Sequence, residues 1–487
     1  MNLLYRSAFS VQGSEIRVVE EIKKRNLFDH ITVITFVKER KELESRGFDV
    51  IEAAVGYEGT YDRLPYWDKL PELDGELLNK MVPYKDTIIH MLGIRPYDLF
   101  VGTYDELEEL YFKSIRYWNY VLNHKRIDMV YLAVIPHLAW EYTLYAVAKC
   151  LNIPTLIIMN THVWGLGVCG TSIEKMGASV AFLCKSEKRL NHTELKPFID
   201  DYLSKALGIH SKLSEKDKVK ERKKYGSGPH RQRYLINPAR TIAKNVIRGH
   251  KSFRKDVRGF FDAQRAQYRS AGIKYYKKYV STNIKKPYVY LPLQQMPEAT
   301  TLPWAGVFEN QLIGIRLLAS ALRKCNAYLV IKEHYVQAKR PKSFYDEMAA
   351  IPNVICADTG VDSYELMYGC IAVATQTGSC ITEAIVKKKP AITFTKAYWS
   401  GCQNVFCVNT EKDVMNVIKK IQKNELIFKD EDVEKYMLAL ENSTIRHNLN
   451  YKGNDMVKEE DSRNDVVDLI EAFVTGGCND EFIFVRK

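Results

Sequence analysis

The chain is 487 residues long, 46% hydrophobic and 11% aromatic, globular values that set disorder aside. That length exceeds one ordinary core and predicts two or three domains. The net charge of +12 is uneven: residues 211–280 hold 21 Lys and Arg against 5 Asp and Glu, a net of +16, so the rest of the chain carries −4.

The opening stretch MNLLYRSAFSVQGSEIRVVEE places a charge at its sixth position with no long apolar run behind it, which predicts no signal peptide. Leu3–Tyr5 reads as a strand, followed by a helix near 15–24. ITVITFV (31–37) and FDVIEAAV (48–55) read as the next two strands. A long helix covers about 106–122, with apolar residues at Leu107, Leu110, Ile115, Trp118 and Leu122. The most apolar window, MVYLAVIPHLAWEYTLYAVA from Met129, contains Pro136, His137 and Glu141. It reads as strand 128–134, a break and helix 138–150, not as a membrane span. Strand 155–159 follows. Ten cysteines include no CxxC pair, and the Cys402–Cys407 spacing fits no zinc or disulfide framework. Reduced cytosolic thiols without a structural metal are expected.

The alternation then stops. Residues 175–280 read as mostly helical and polar, broken at Gly226–Pro229 and at Asn237-Pro238. This basic, Tyr- and Phe-bearing segment fits a solvated helical face or a patch for anionic membrane or glycan. No RNP, KH, zinc-finger or helix-turn-helix signature accompanies it, so nucleic acid ranks last.

From 287 the alternation resumes: strand 287–293, helix 310–324, strand 327–332, helix 343–350, strand 354–357, helix 363–369, strand 371–375, a turn and helix, strand 390–394 and helix 413–424. Continuous apolar strands separated by helices predict α/β architecture with parallel sheets covered on both faces. The expected organisation is a doubly wound domain over 1–175, a basic connector over 176–284, a second doubly wound domain over 285–430, and a tail over 431–487 whose helices pack back on the body.

Ligands of open parallel sheets bind at the carboxyl ends of the strands. Three loops leave such ends in the second half: LQQMPEATTLPW (293–304), Lys332-Glu333-His334, and the turn Thr375–Ser379. The turn strings small hydroxyl residues and a glycine ahead of a helix that Ser379 can cap, which reads as an ordinary turn or as an anion site. His334 is either a satisfied histidine at a sheet edge or a proton donor. Glu383 is a first-turn acid or an acceptor for sugar hydroxyls. No Walker GxxxxGK[ST], no GxGxxG after a strand, no HExxH and no paired-carboxylate signature is present, which lowers ATP-driven, NAD, metalloprotease and glycosidase chemistry.

The runs LPLQQMPEATTLPWAGVFENQLIGIRLLASAL, YLVIKEH and NVICADTGVDSYELMYGCIAVATQTGSCITEAIVKKKPAITFTKAYWSGCQNVFCV together resemble the bacterial capsule polysaccharide biosynthesis proteins, which include the capsular Kdo transferases. The resemblance covers about 285–410, and more loosely 117–158. It implies a GT-B glycosyltransferase: two Rossmann-like domains facing a cleft, the nucleotide-sugar donor on the C-terminal domain, the acceptor on the N-terminal one, with no cofactor and no metal. Relatives commonly carry His-Pro where this chain has His334-Tyr335, so a nucleotide-sugar site is carried over without one named sugar; CMP- or UDP-linked donors are expected.

On that reading the donor phosphate rests against the N–H groups and hydroxyls of Thr377, Gly378 and Ser379, with Lys332, Glu333 and His334 opposite. Gln294, Glu298, Thr300 and Thr301 line the floor, and Glu383 meets the ribose. His334 serves catalysis on the donor side. The base that activates the acceptor, a glycan or lipid-linked glycan, is sought among His137, His162 and Glu58, with Asp62 as a rival. The expected location is cytoplasmic, with 211–280 resting on the anionic inner membrane face. The alternatives are a nucleotide-sugar epimerase, a polyol-phosphate transferase, and a non-catalytic subunit of a glycan-assembly complex.

Overall fold

The computed structural model describes the chain except residues 7–13, 36, 94–102, 209–269, 297, 336, 338–339, 448–456 and 487. Most of the basic segment 211–280 therefore lies outside the described residues. Among the described residues no helix is long and apolar enough to cross a membrane.

The structure contains two Rossmann-like lobes, the GT-B-like pairing expected. The first sheet runs, from one edge, Asp49–Glu52, His30–Thr35, Asn2–Arg6, Met129–Leu132, Thr155–Asn160, Leu166–Gly170 and Ile445–Arg446. The first five strands are parallel; the last two run antiparallel to their neighbours. The second sheet is parallel throughout: Val354–Ala357, Tyr328–Lys332, Tyr288–Pro292, Ala372–Thr375, Ala391–Thr393 and Val405–Cys407. Numbered in chain order, both lobes share the arrangement 3-2-1-4-5, which puts a topological switch point between strands 1 and 4 of each. Those points lie between Asn2–Arg6 and Met129–Leu132, and between Tyr288–Pro292 and Ala372–Thr375.

Burial explains the strand composition. Leu3, Leu4, Val130, Leu156, Val289, Leu329, Val330 and Val373 are wholly buried, because helices cover both faces. The helix Tyr104–His124 starts on a capping box in which Thr103 and Glu106 satisfy each other's backbone N–H groups. Two differences from the sequence reading stand out locally. Ala53–Glu58, of which 53–55 read as the end of a strand, is a helix closed by Gly59 in the left-handed region. Leu166–Gly170 and Val405–Cys407 are strands the reading left out.

The chain returns to its beginning. The helix Glu459–Thr475 buries Val466, Ile470 and Phe473 in one cluster with Leu3, Tyr5 and Ile22 of the first lobe. Arg25 reinforces the contact by pairing with Asp468 at 2.6 Å and Glu471 at 2.8 Å.

Candidate functional site

The second lobe's switch point is closed by a side-chain latch. Gln294, on the loop after Tyr288–Pro292, donates its Nε2 to Thr377 Oγ1 at 2.8 Å and accepts the Thr377 N–H on its Oε1 at 3.0 Å. Its own backbone is held by the Gln311 side chain, accepting and donating at 2.9 Å. The Thr377 hydroxyl in turn donates to the carbonyl of Thr300. Thr301, fully buried, donates from Oγ1 to the Glu298 carbonyl at 3.0 Å and accepts the Glu298 N–H at 3.2 Å. The Gly378 N–H reaches Thr375 Oγ1 at 3.1 Å, and a Cβ at Gly378 would sit 2.7 Å from that oxygen, which is why glycine stands there.

These contacts engage several groups of the expected phosphate cradle. The amides of Thr377 and Gly378 and the hydroxyls of Thr377 and Thr301 have partners within these two loops, because buried polar groups must be satisfied. Ser379 is exposed; it sits at the helix start without a side-chain cap, since its backbone is already helical (φ −57°, ψ −26°). Gln294, Thr300, Thr301 and Thr377 thus shape the cleft floor from within.

Lys332 and Glu333 likewise have partners within the lobe. Glu333 is buried against Arg340, Nε to Oε2 at 2.8 Å, accepts the Tyr345 hydroxyl at 2.7 Å, and accepts the His334 N–H at 2.7 Å. Arg340 also donates to the Gln294 carbonyl, tying this loop to the latch. Lys332 donates to the Val361 carbonyl at 2.6 Å and Ser363 Oγ at 2.8 Å, anchoring the next crossover. A buried carboxylate requires such a partner set. The half-buried His334 ring stacks on Tyr335 with centroids 4.9 Å apart. Glu383, on the helix Cys380–Val386, has its carboxyl pushed up to about 7 by burial, against the pull of Lys387 and of its hydrogen bond with Tyr364.

The carboxyl edges of the two sheets face each other. His162, after Thr155–Asn160, lies 6.2 Å from the ring of Tyr398, which follows Ala391–Thr393. Burial holds His162 down to about 4, so this ring is neutral. Gly177 (φ +71°) approaches so near that a Cβ there would stand 2.3 Å from Tyr398 Cβ. His90 Nδ1 meets Glu309 Oε1 at 2.7 Å. Glu298 is an exposed residue whose carboxyl is raised by desolvation, while its hydrogen bond with Thr300 and the charge of His137 lower it.

His137 follows the first lobe's strand 4. Its Nδ1 is 2.9 Å from the Ile135 carbonyl, which only accepts, so Nδ1 carries a proton. Beneath it Glu141, 1% exposed, pairs with Arg6, whose guanidinium lies 5.1 Å over the Trp140 ring. Glu58 stands exposed at the end of its helix, and Asp62 pairs with Lys113 at 2.9 Å on the far helix. The structure therefore joins Gln294, Thr300 and Thr377 in the latch, with Glu298 hydrogen-bonded to Thr300, and pairs Asp62 elsewhere. Sequence reading missed Arg6, Arg340 and Tyr364. A lone arginine closing the apolar strand NLLYR was the available signal for the first.

No protein-family model matches the chain, and no curated protein matches it. Among solved structures it is similar to the UDP-GlcNAc 2-epimerase from Methanocaldococcus jannaschii, at 10% identity over 90% of this chain and 97% of that one, with a TM-score of 0.26. It is similar to a glycosyltransferase from Rickettsia africae, at 12% identity over 90% and 92% of the two chains and a TM-score of 0.25. Similarity to KpsC, a beta Kdo 2,4 transferase from Thermosulfurimonas dismutans, stands at 10% identity over 71% and 87%, with a TM-score of 0.33. At these scores the overlaps carry no assignment of activity.

Proposed function

We propose that the protein is a glycosyltransferase that takes a CMP- or UDP-linked sugar on the second lobe and a glycan acceptor on the first, in capsule or surface polysaccharide assembly. One observation carries the reading: the carboxyl edges of two Rossmann-like sheets meet, His162 after a strand of one lying 6.2 Å from Tyr398 after a strand of the other. Each edge is where such a sheet binds a ligand, so the arrangement suits two ligands held against one another. The likeness of PEATTLP, the Lys-x-His element and TQTGS…EA to capsule proteins supports the sugar chemistry.

In this reading Glu383 accepts the ribose hydroxyls, His334 meets the leaving phosphate beside the exposed Ser379, and His137 Nε2 takes the proton of the attacking acceptor hydroxyl. Charge on the departing phosphate is met by fixed donors. Glu58 stands aside as an exposed residue, and the neutral His162 sits against Tyr398 rather than in the open gap. A thermal-shift screen with CMP, UDP, GDP and ADP is expected to select CMP or UDP. Loss of sugar transfer in His334→Ala and His137→Gln, with folding intact, supports the assignment. Conversion of the donor without any acceptor identifies an epimerase instead, and no nucleotide binding identifies a scaffold.

A further inference from the structure

Resting on the reading of His137 as acceptor base, we propose that the buried Arg6–Glu141 pair is the positioning device that fixes the tautomer and place of that imidazole. Arg6 ends strand 1 of the first lobe and is in register with Leu132 at the end of strand 4, so the pair sits at that lobe's own switch point. The Ala133 N–H donates to the Arg6 carbonyl at 3.0 Å, joining the two strand ends where the His137 loop begins.

The Glu141 carboxylate serves three partners at once. It pairs with Arg6, and its Oε2 accepts the N–H groups of His137 and Leu138, each at 3.4 Å. The same Oε2 lies 3.9 Å from His137 Nδ1, beside the Ile135 carbonyl that takes that proton. A negative oxygen and a carbonyl on one side of the ring hold a proton on Nδ1 and leave Nε2 as the nitrogen for an acceptor hydroxyl. Wedging completes the mount. Trp140 lies against Arg6 on one side, and Gly56 approaches it so closely that a Cβ there would be 2.9 Å from the indole. A carboxylate that merely started the helix Ala139–Cys150 would need no arginine from a strand 135 positions away and would ordinarily face water. His137 itself keeps about a third of its side chain exposed (36%), open to an incoming hydroxyl.

The test uses the full chain labelled with 15N-histidine, the His137 signals being assigned by their absence in His137→Gln. The wild type is expected to show one tautomer, protonated on Nδ1. Glu141→Gln keeps the shape and removes the charge; it is expected to mix the two tautomers and to lower kcat for the CMP- or UDP-sugar that turns over by about 10²-fold. The thermal shift produced by the bare nucleotide stays unchanged, because the donor sits on the other lobe. Should Glu141→Gln fold poorly with Arg6 left unpaired, Arg6→Met/Glu141→Gln removes both charges and is expected to show the same tautomer mixing. Normal turnover by His137→Gln would overturn the base reading and this inference with it. A dead His137→Gln beside an active Glu141→Gln with a single tautomer would overturn the inference alone.

Discussion

Gln294 and Thr377 grip each other at two points across the second lobe's switch point, one amide group serving a hydroxyl at 2.8 Å and a backbone N–H at 3.0 Å. The pair joins loops 83 residues apart. Gln294→Leu keeps the bulk and leaves the Thr377 N–H buried without its acceptor. The expected cost is about 1–3 kcal/mol, read as a lower urea midpoint with an unchanged slope. Nucleotide binding should weaken alongside, since the cleft floor loosens; an unmoved midpoint would mean the latch is dispensable.

Glu333 behaves differently from its neighbour His334. Glu333→Ala strands the Arg340 guanidinium in the interior and is expected to destabilise the fold by about 3–5 kcal/mol. His334→Ala is expected to spare stability and remove turnover. Differential scanning fluorimetry beside a donor-turnover assay separates them. A Glu333→Ala protein of normal stability that no longer binds nucleotide would return this carboxylate to the ligand.

The bridge from His90 to Glu309 makes lobe contact sensitive to pH. The hydrogen bond to Glu309 raises the imidazole above its usual 6.5, with burial pulling the other way. A raised value means the contribution is complete below 6.5 and fades as pH climbs through the folded value. Both side chains are partly exposed, 37% and 24%, so screening keeps the effect on the order of 0.5 kcal/mol. The Tm difference between wild type and His90→Asn is expected to shrink from pH 6 to pH 8.5. A constant difference would remove the bridge from the account.

Glu383 gives the opposite slope in binding. Its carboxyl, raised to about 7, is largely protonated at pH 6 and ionised at pH 8. If it accepts ribose hydroxyls, nucleotide affinity rises with pH through 7, by up to about tenfold per unit below that point. Calorimetric titration with CMP or UDP at pH 6, 7 and 8 is expected to show this rise. Glu383→Gln should flatten it; the same rise in the variant would remove Glu383 from the nucleotide.

The strand–helix alternation was legible because parallel strands buried on both faces must be continuously apolar, as ITVIT and YLVIK are. Leu166–Gly170 and Val405–Cys407 escaped because glycine in one and neighbouring Asn404 in the other imitate a loop. Ala53–Glu58 was misread because AAV extends an apolar run whatever its backbone does. The site was legible by place and not by partner. Topology put three loops on one edge, but no local pattern says that the Thr377 hydroxyl of TQTGS meets Gln294, or that Glu333 belongs to Arg340. Those pairings are long-range, and they decide which polar groups remain for a ligand.

Among the described residues the chain lies in the first lobe as far as Ala206, in the second from Ser270 to Gln422, and in the first again at Ile445. A lobe completed by a returning segment cannot be severed from its partner by one cut, and the cluster that joins Met176 and Leu183 to Tyr398 and Trp399 resists rotation of one lobe against the other.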